Sequence, residues 1–204
     1  MITIIDYGVG NIKSFVNIYK KLSIDIKIAK EAKDLVGSTK LILPGVGHFD
    51  YAMKRFADSG MMSLTNQMVL TEKIPVLGIC VGMQMLAQKS EEGVLSGLGW
   101  IKGEVKKIDT TLLKHSTALP HMGWNNIKPI INNPLLLNLD INSRFYFLHS
   151  YYFKSYNIED TIALSIYGKE FSSAINYKNI YGVQFHPEKS HQFGIILLEN
   201  FANV

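Results

Sequence analysis

One thiol, one imidazole and one carboxylate stand out in this chain because of what flanks them. Cys80, the only cysteine, lies in Gly78-Ile79-Cys80-Val81-Gly82, after the apolar run Ile74-Pro75-Val76-Leu77 and before the helix-forming stretch Met83-Gln84-Met85-Leu86-Ala87. A strand that enters a helix through a very tight turn can carry a nucleophile on that turn. Its neighbours must then be small, and glycine stands two residues to either side. The first backbone N–H groups of the following helix have no intrahelical partner, and the dipole there favours negative charge. Both effects favour thiolate over thiol. An isolated cysteine is more often a small buried hydrophobe; the flanking glycines argue for the nucleophile.

A second segment supplies what such a thiol needs. Tyr181-Gly182-Val183-Gln184-Phe185 alternates like a half-buried strand and ends in His186-Pro187-Glu188. Proline fixes the backbone between the imidazole and the carboxylate. Glu188 can then hold the ring's tautomer and orientation while the other ring nitrogen faces the thiol, as in hydrolytic triads. Nucleophile, base and orienter come in the order Cys80, His186, Glu188.

The elements that must position these groups follow from hydrophobic periodicity. The first half alternates strand-like and helix-like segments, which implies parallel strands joined by crossover helices. Strands are predicted at Ile2–Asp6, Asp25–Ala29, Lys40–Leu43 and residues 75–79. Asn11 is a candidate cap for a helix to about Leu22, with Ile12, Phe15, Val16 and Tyr19 at helical spacing. Phe49–Asp58 and Met61–Leu70 read as helices after a loop at Pro44-Gly45-Val46-Gly47. The second half is richer in strand signals: glycine-punctuated Gly93–Gly103 leads into Glu104–Ile108, followed by Arg144–Leu148, Thr161–Ile166, Phe171–Tyr177 and Ile180–Phe185. A helix of about Gln192–Ala202 closes the chain. The expected fold is α/β, with a mostly parallel central sheet, helices on both faces and a late antiparallel region. Site residues should gather at the carboxyl ends of the strands.

Composition excludes several rivals. A chain of 204 residues and 23.0 kDa suits a single domain over residues 1–204. Hydrophobic content of 47% with 19% charged residues is ordinary for a globular protein. The start Met1-Ile2-Thr3-Ile4-Ile5-Asp6 has no basic leader, and no apolar run approaches the roughly 18 residues of a membrane helix. A lone cysteine agrees with a reducing compartment, so the expected location is cytoplasmic, with no membrane contact. Net charge is +4 with a pI near 9.0, but Arg55 and Arg144 are the only arginines. Bidentate phosphate and base recognition leans on arginine, so nucleic acid is not an expected partner. The histidines stand apart in sequence, so neither a metal nor another cofactor is expected.

Taken together, these motifs resemble the class I glutamine amidotransferases, and within them the glutaminase subunits of imidazole glycerol phosphate synthases. The resemblance spans nearly the whole chain. It is carried by Asp6-Tyr7-Gly8-Val9-Gly10-Asn11, Pro44-Gly45-Val46-Gly47, Gly78-Ile79-Cys80-Val81-Gly82-Met83-Gln84, Pro120-His121-Met122-Gly123-Trp124-Asn125 and Gln184-Phe185-His186-Pro187-Glu188-Lys189-Ser190. Other members of the class usually have histidine at the position of Met83 and lack the first and fourth of these blocks. Val81 stands where leucine is common, a mild departure.

The resemblance implies that Cys80 attacks the side-chain amide of glutamine, with His186 and Glu188 completing the triad. It places the oxyanion donors at the N–H of Val81 and in the turn holding Val46 and Gly47. That hole is expected to be incomplete until a partner signals, since a glycine-rich turn reorients cheaply. Substrate glutamine is placed against Gln84 and Glu92, with backbone groups near His149, Ser150 and Tyr151 holding its α-substituents. The family's partner is a (β/α)₈-barrel synthase forming a heterodimer with the glutaminase. It uses the ammonia to make imidazole glycerol phosphate and an aminoimidazole carboxamide ribonucleotide in histidine biosynthesis. Gly10, Asn11, His121, Trp124 and Lys189 are candidates for the surface facing that partner. For His121 and Trp124 an ordinary core position stays open, and for Lys189 a generic surface one. Two other readings remain: a paralogue that supplies ammonia for amidino groups on surface sugars, and a non-catalytic scaffold. A thiol peptidase could use the same elbow.

Overall fold

The computed structural model describes residues 1–113 and 119–204. In chain order its elements are β1 (Ile2–Ile5), α1 (Ile12–Lys21), β2 (Ile26–Ala29), β3 (Lys40–Gly45), α2 (Phe49–Asp58), α3 (Met62–Leu70), β4 (Val76–Cys80) and the one-turn helix α4 (Val81–Gln84). There follow β5 (Lys89–Ser90), β6 (Gly103–Lys107), β7 (His121–Asn126), β8 (Lys128–Pro129), β9 (Arg144–His149) and β10 (Tyr151–Ser155). The chain ends with β11 (Thr161–Tyr167), β12 (Lys169–Tyr177), β13 (Ile180–Val183) and α5 (His191–Asn203).

Eight strands form the main sheet in the order β2-β1-β3-β4-β13-β12-β11-β8. β2, β1, β3, β4 and β13 run parallel, and β12, β11 and β8 add antiparallel strands at one edge. Every residue of β1, β4 and β13 is buried. Side chains alternate between faces, so both faces of those strands are covered, which is why β1 and β4 read as near-continuous apolar runs; β13 corrects expectation, since its sequence alternates like a half-buried strand yet all four of its residues are buried between β4 and β12. The covering helices include α1, which meets α5, where the Tyr19 hydroxyl donates to the Leu198 carbonyl at 3.1 Å. Two small sheets complete the fold: β10-β6-β5, and the ribbon β7-β9 in which His121 stands opposite His149.

The predicted architecture and its late antiparallel strands are observed, with most element ends within two residues of expectation. Other expectations need correction as well. Asn11 sits at the start of α1, but its side chain makes no capping hydrogen bond. The strands β7 and β10 lie where none was predicted; each pairs with a partner distant in sequence, an attraction invisible to local patterning. The helix after Cys80 is also only one turn long. Beyond it, the loop at 97–101 takes over the carbonyls that a longer helix would have used: the N–H groups of Leu98, Gly99 and Ile101 donate to Met85, Ala87 and Leu86 at 2.8, 2.9 and 3.1 Å. Gly97 is required there, because a Cβ would collide with the Ala87 carbonyl oxygen.

Candidate active site

Cys80 is the last residue of β4 and sits at φ 54°, ψ −112°. A non-glycine residue held at positive φ is strained and persists only where its surroundings over-determine it. Gly78 and Gly82 supply that constraint. A Cβ on Gly78 would lie 2.7 Å from the Gly82 carbonyl oxygen, and one on Gly82 would collide with the Leu43 carbonyl oxygen. The elbow is thus jammed between β3 and β4, and only glycine fits on either side of the thiol. With α4 so short, any stabilisation of a thiolate comes from nearby N–H groups and an imidazole rather than from a long helix dipole.

The imidazole comes from β13, the parallel neighbour of β4. Beyond Val183 the chain reaches His186, whose backbone N–H donates to the Tyr146 carbonyl at 2.8 Å. The Ser190 hydroxyl donates to the His186 carbonyl at 2.5 Å and accepts from the Tyr146 N–H at 3.0 Å. His186 is therefore pinned to β9 through its backbone, and its side chain is left to chemistry. Its Nδ1 lies 2.8 Å from Glu188 Oε1, both side chains being 3% exposed. Burial alone would lower the imidazole's pKa. The charge and hydrogen bond of Cys80, then those of Glu188, outweigh burial and raise it to about 10. The second Glu188 oxygen, Oε2, is buried with no hydrogen-bond partner among the described residues. An uncompensated carboxylate oxygen is costly unless a cation stands beside it, and protonated His186 is such a cation.

Cys80 and His186 open into one pocket of about 280 Å³, with Val46, Gly47, Val81, Gln84, Glu92, His149, Ser150, Tyr151 and Lys189 also in its wall. Every residue assigned from sequence to the triad's reacting end, the oxyanion hole or the glutamine site thus faces a single cavity. Glu92 is anchored there by accepting the Phe49 N–H at 2.8 Å, while Asp50 accepts the N–H groups of Val94 and Leu95 at 2.9 and 3.1 Å. This exchange ties the start of α2 to the loop that bears Glu92. Gln84 is buried, and its amide nitrogen donates to the Tyr151 carbonyl at 2.9 Å and to Gln184 Oε1 at 3.1 Å.

Gln184 was missed as a site residue. It is fully buried and its Nε2 donates to Cys80 Sγ at 3.8 Å. The signal was available, since a glutamine in an otherwise apolar strand, two residues before His186, must satisfy its amide indoors. Tyr7 was also missed. Its hydroxyl donates to the Pro44 carbonyl at 2.6 Å, steadying the turn that carries Val46 and Gly47. Gly10 packs on the same turn, where a Cβ would lie 2.9 Å from Pro44 Cβ.

The surface candidates divide. Trp124 is 41% exposed and stacks on His191 with centroids 5.1 Å apart. Lys189 is exposed, its ammonium 5.6 Å from the centre of the Tyr146 ring. Asn11 is exposed and Gly10 half-buried. His121 does not belong with them: it is 4% exposed, stacked on Phe147 and Tyr167. The strand β7 alternates, so Met122 and Trp124 point outward while His121 turns in.

Chemically, a strained thiol at a strand-to-helix turn beside an imidazole whose far nitrogen meets a carboxylate defines a thiol hydrolase on an α/β sheet, equipped to attack a carbonyl carbon. Comparison with known proteins narrows this class. The family described as glutamine amidotransferase class-I matches residues 3–203, and the chain belongs to it. Relatives include the imidazole glycerol phosphate synthase subunit HisH of Bdellovibrio bacteriovorus, 52% identical over 204 residues and covering 100% of both chains. The protein of the same description from Leptospira interrogans is 50% identical over 204 residues, again covering 100% of both chains. Among solved structures, a glutamine amidotransferase superposes with a TM-score of 0.74 at 16% identity, covering 98% of each chain. Another, from Thermotoga maritima, gives 0.66 at 17% identity, covering 99% of this chain and 82% of its own.

Proposed function

We propose that this chain is the glutaminase subunit of an imidazole glycerol phosphate synthase, hydrolysing glutamine to glutamate and passing the ammonia to a (β/α)₈-barrel synthase partner in histidine biosynthesis. The observation that carries the reading is Cys80 held at φ 54° on the wall of the pocket that also holds His186, in a chain with relatives of that description at about half identity over full length. Cys80 Sγ attacks the amide carbon of glutamine and the carbonyl π electrons move to oxygen. The Val81 N–H and one from the Val46–Gly47 turn receive that oxyanion. His186 gives its proton to the departing nitrogen, the C–N bond breaks, and ammonia and a thioester result. Water, deprotonated by His186, then attacks the thioester and releases glutamate and the thiol. Glu188 holds the imidazole and its charge throughout. Glu92 faces the substrate's ammonium, and the 149–151 segment its carboxylate.

Free ammonia in water is largely protonated and loses its nucleophilic lone pair, so a shielded hand-over calls for a docked partner. The outer face of the β7-β9 ribbon supports one. Met122 is 65% exposed, Trp124 41% and Leu148 36%, beside Tyr146, Lys189 and the pocket mouth. The test is the full chain bound to its barrel synthase, assayed with glutamine and separately with an ammonium salt. Cys80→Ala should abolish glutamine-dependent synthesis and leave ammonium-dependent synthesis intact. Undiminished glutamine-dependent synthesis would favour a scaffold, and turnover of peptides instead of glutamine would favour a peptidase.

A further inference from the structure

The side chains of two buried histidines, His121 and His149, have no part in the reaction just described. His121 Nδ1 lies 3.0 Å from His149 Nε2, and His149 Nδ1 lies 2.8 Å from the Tyr151 carbonyl oxygen. Asn125 Nδ2 approaches His121 Nε2 at 3.3 Å, while also donating to the Ile166 carbonyl at 2.9 Å. The Tyr151 carbonyl in turn accepts from Gln84 Nε2. A continuous run of polar contacts therefore leads from the edge of β7 to the floor of the pocket.

Its proton positions follow from donor and acceptor rules. A carbonyl only accepts, so His149 Nδ1 carries hydrogen; a neutral His149 then offers Nε2 as acceptor. His121 Nδ1 must donate to it, which leaves His121 Nε2 to accept from the Asn125 amide. All the links point one way, from Asn125 through His121 and His149 to the Tyr151 carbonyl. One added proton would set two N–H groups face to face at one link, so the run works only with both rings neutral. Burial enforces that state, pulling His121 down to about 4 and, aided by the neighbouring His121, His149 to about 3. The rings are also fixed in plane: His121 stacks on Tyr167 and Phe147 with centroids 4.1 and 4.9 Å away.

We propose, on the basis of the glutaminase reading above, that His121 and His149 are positioning residues which hold the 148–151 segment and Gln84 in the geometry that grips substrate glutamine. The pair acts through hydrogen bonds rather than bulk. His121 bonds across the β7-β9 register to His149, at the point where β9 ends and the pocket-lining backbone begins. His149 then shares the Tyr151 carbonyl with Gln84. On the far side of the same segment, the Leu148 carbonyl lies 3.8 Å from Cys80 Sγ. Without the pair, nothing else among the described contacts ties the His149 side chain to β7.

Two variants of His121 pull in opposite directions. His121→Asn places an amide N–H near the Nδ1 position and keeps the donor, but sacrifices ring stacking. His121→Phe keeps the stacking and removes the donor. With the full chain bound to its synthase, His121→Phe should raise the KM for glutamine about tenfold, equivalent to about 1.4 kcal/mol and of the size of a lost hydrogen bond, with kcat less affected. His121→Asn should recover most of that KM. Equal KM values, or a lower one for His121→Phe, would make His121 a packing residue and overturn the proposal. Nitrogen NMR of the unmodified protein provides a readout that does not depend on how the variants fold. Both rings should be neutral at pH 7 with hydrogen on Nδ1; the opposite tautomer on either ring, or a charged ring, would equally overturn it. Failure of the unmodified complex to hydrolyse glutamine would sink the functional reading instead.

Discussion

At the scale of single residues, the site depends on charge placed where water is scarce. His186 is raised from 6.5 to about 10 by Cys80 and Glu188 against the effect of burial. Between those values the folded chain keeps a proton that the unfolded chain has released, so stability falls as pH rises. The contribution is complete below about 6.5 and lost as pH climbs through about 10. Urea midpoints measured across that window should fall with pH, and fall less steeply in Glu188→Gln. The same variant should lower glutaminase kcat by up to about 10⁴-fold, as loss of the orienting carboxylate does in hydrolytic triads. Cys80→Ala should cost at least about 10³-fold in glutamate release, since no other nucleophile can replace the thiol. The proposed triad of Cys80, His186 and Glu188 could be picked out as a candidate from the sequence because each member sits in a motif with its own backbone signature. Gln184 left a signal too, an amide two residues before His186 that must find partners indoors, but Tyr7 and the inward turn of His121 left none, because each depends on what packs against it.

At the scale of elements, the elbow works by exclusion. The close approach of β3, β4 and α4 leaves no room for a side chain at positions 78 and 82, and this holds Cys80 at a dihedral it would not otherwise adopt. Gly78→Ala should therefore destabilise the chain by about 1–3 kcal/mol, the usual range for overpacking, and reduce kcat well beyond what the lost stability explains. Chemical denaturation and steady-state kinetics on one preparation check both. Strands β1, β3 and β4 of the parallel sheet were readable from sequence because burial on both faces produces unbroken apolar runs such as Leu41-Ile42-Leu43. Helix α4 was overestimated for a complementary reason: Met85-Leu86-Ala87 has good helix-forming composition, yet its carbonyls found donors in the loop at 97–101. Tertiary hydrogen bonds overrode local propensity there, and only the glycine at position 97 hinted at the close approach.

At the scale of the whole molecule, the pocket mouth and the exposed apolar ribbon of β7 and β9 lie side by side, so a docked partner would cover the one while receiving what leaves the other. Trp124→Ala should weaken binding to the synthase partner by about 2 kcal/mol, roughly thirtyfold, the size expected of a tryptophan anchor. The denaturation midpoint of the free chain should barely move, because the indole is 41% exposed before docking. Calorimetric titration of one subunit with the other measures the first, and a urea curve the second. The general architecture was visible in the sequence, whereas the ribbon was not, since β7 and β9 come from segments about twenty residues apart that acquire an outer face only once paired. The solitary sulfhydryl has one last consequence. Because Cys80 is the only cysteine in 204 residues, a thiol-directed dye or isotope can attach at one address alone. Reagent uptake by the untouched polypeptide therefore counts working centres directly, and its speed, with and without the synthase, becomes a gauge of how far docking shields the doorway.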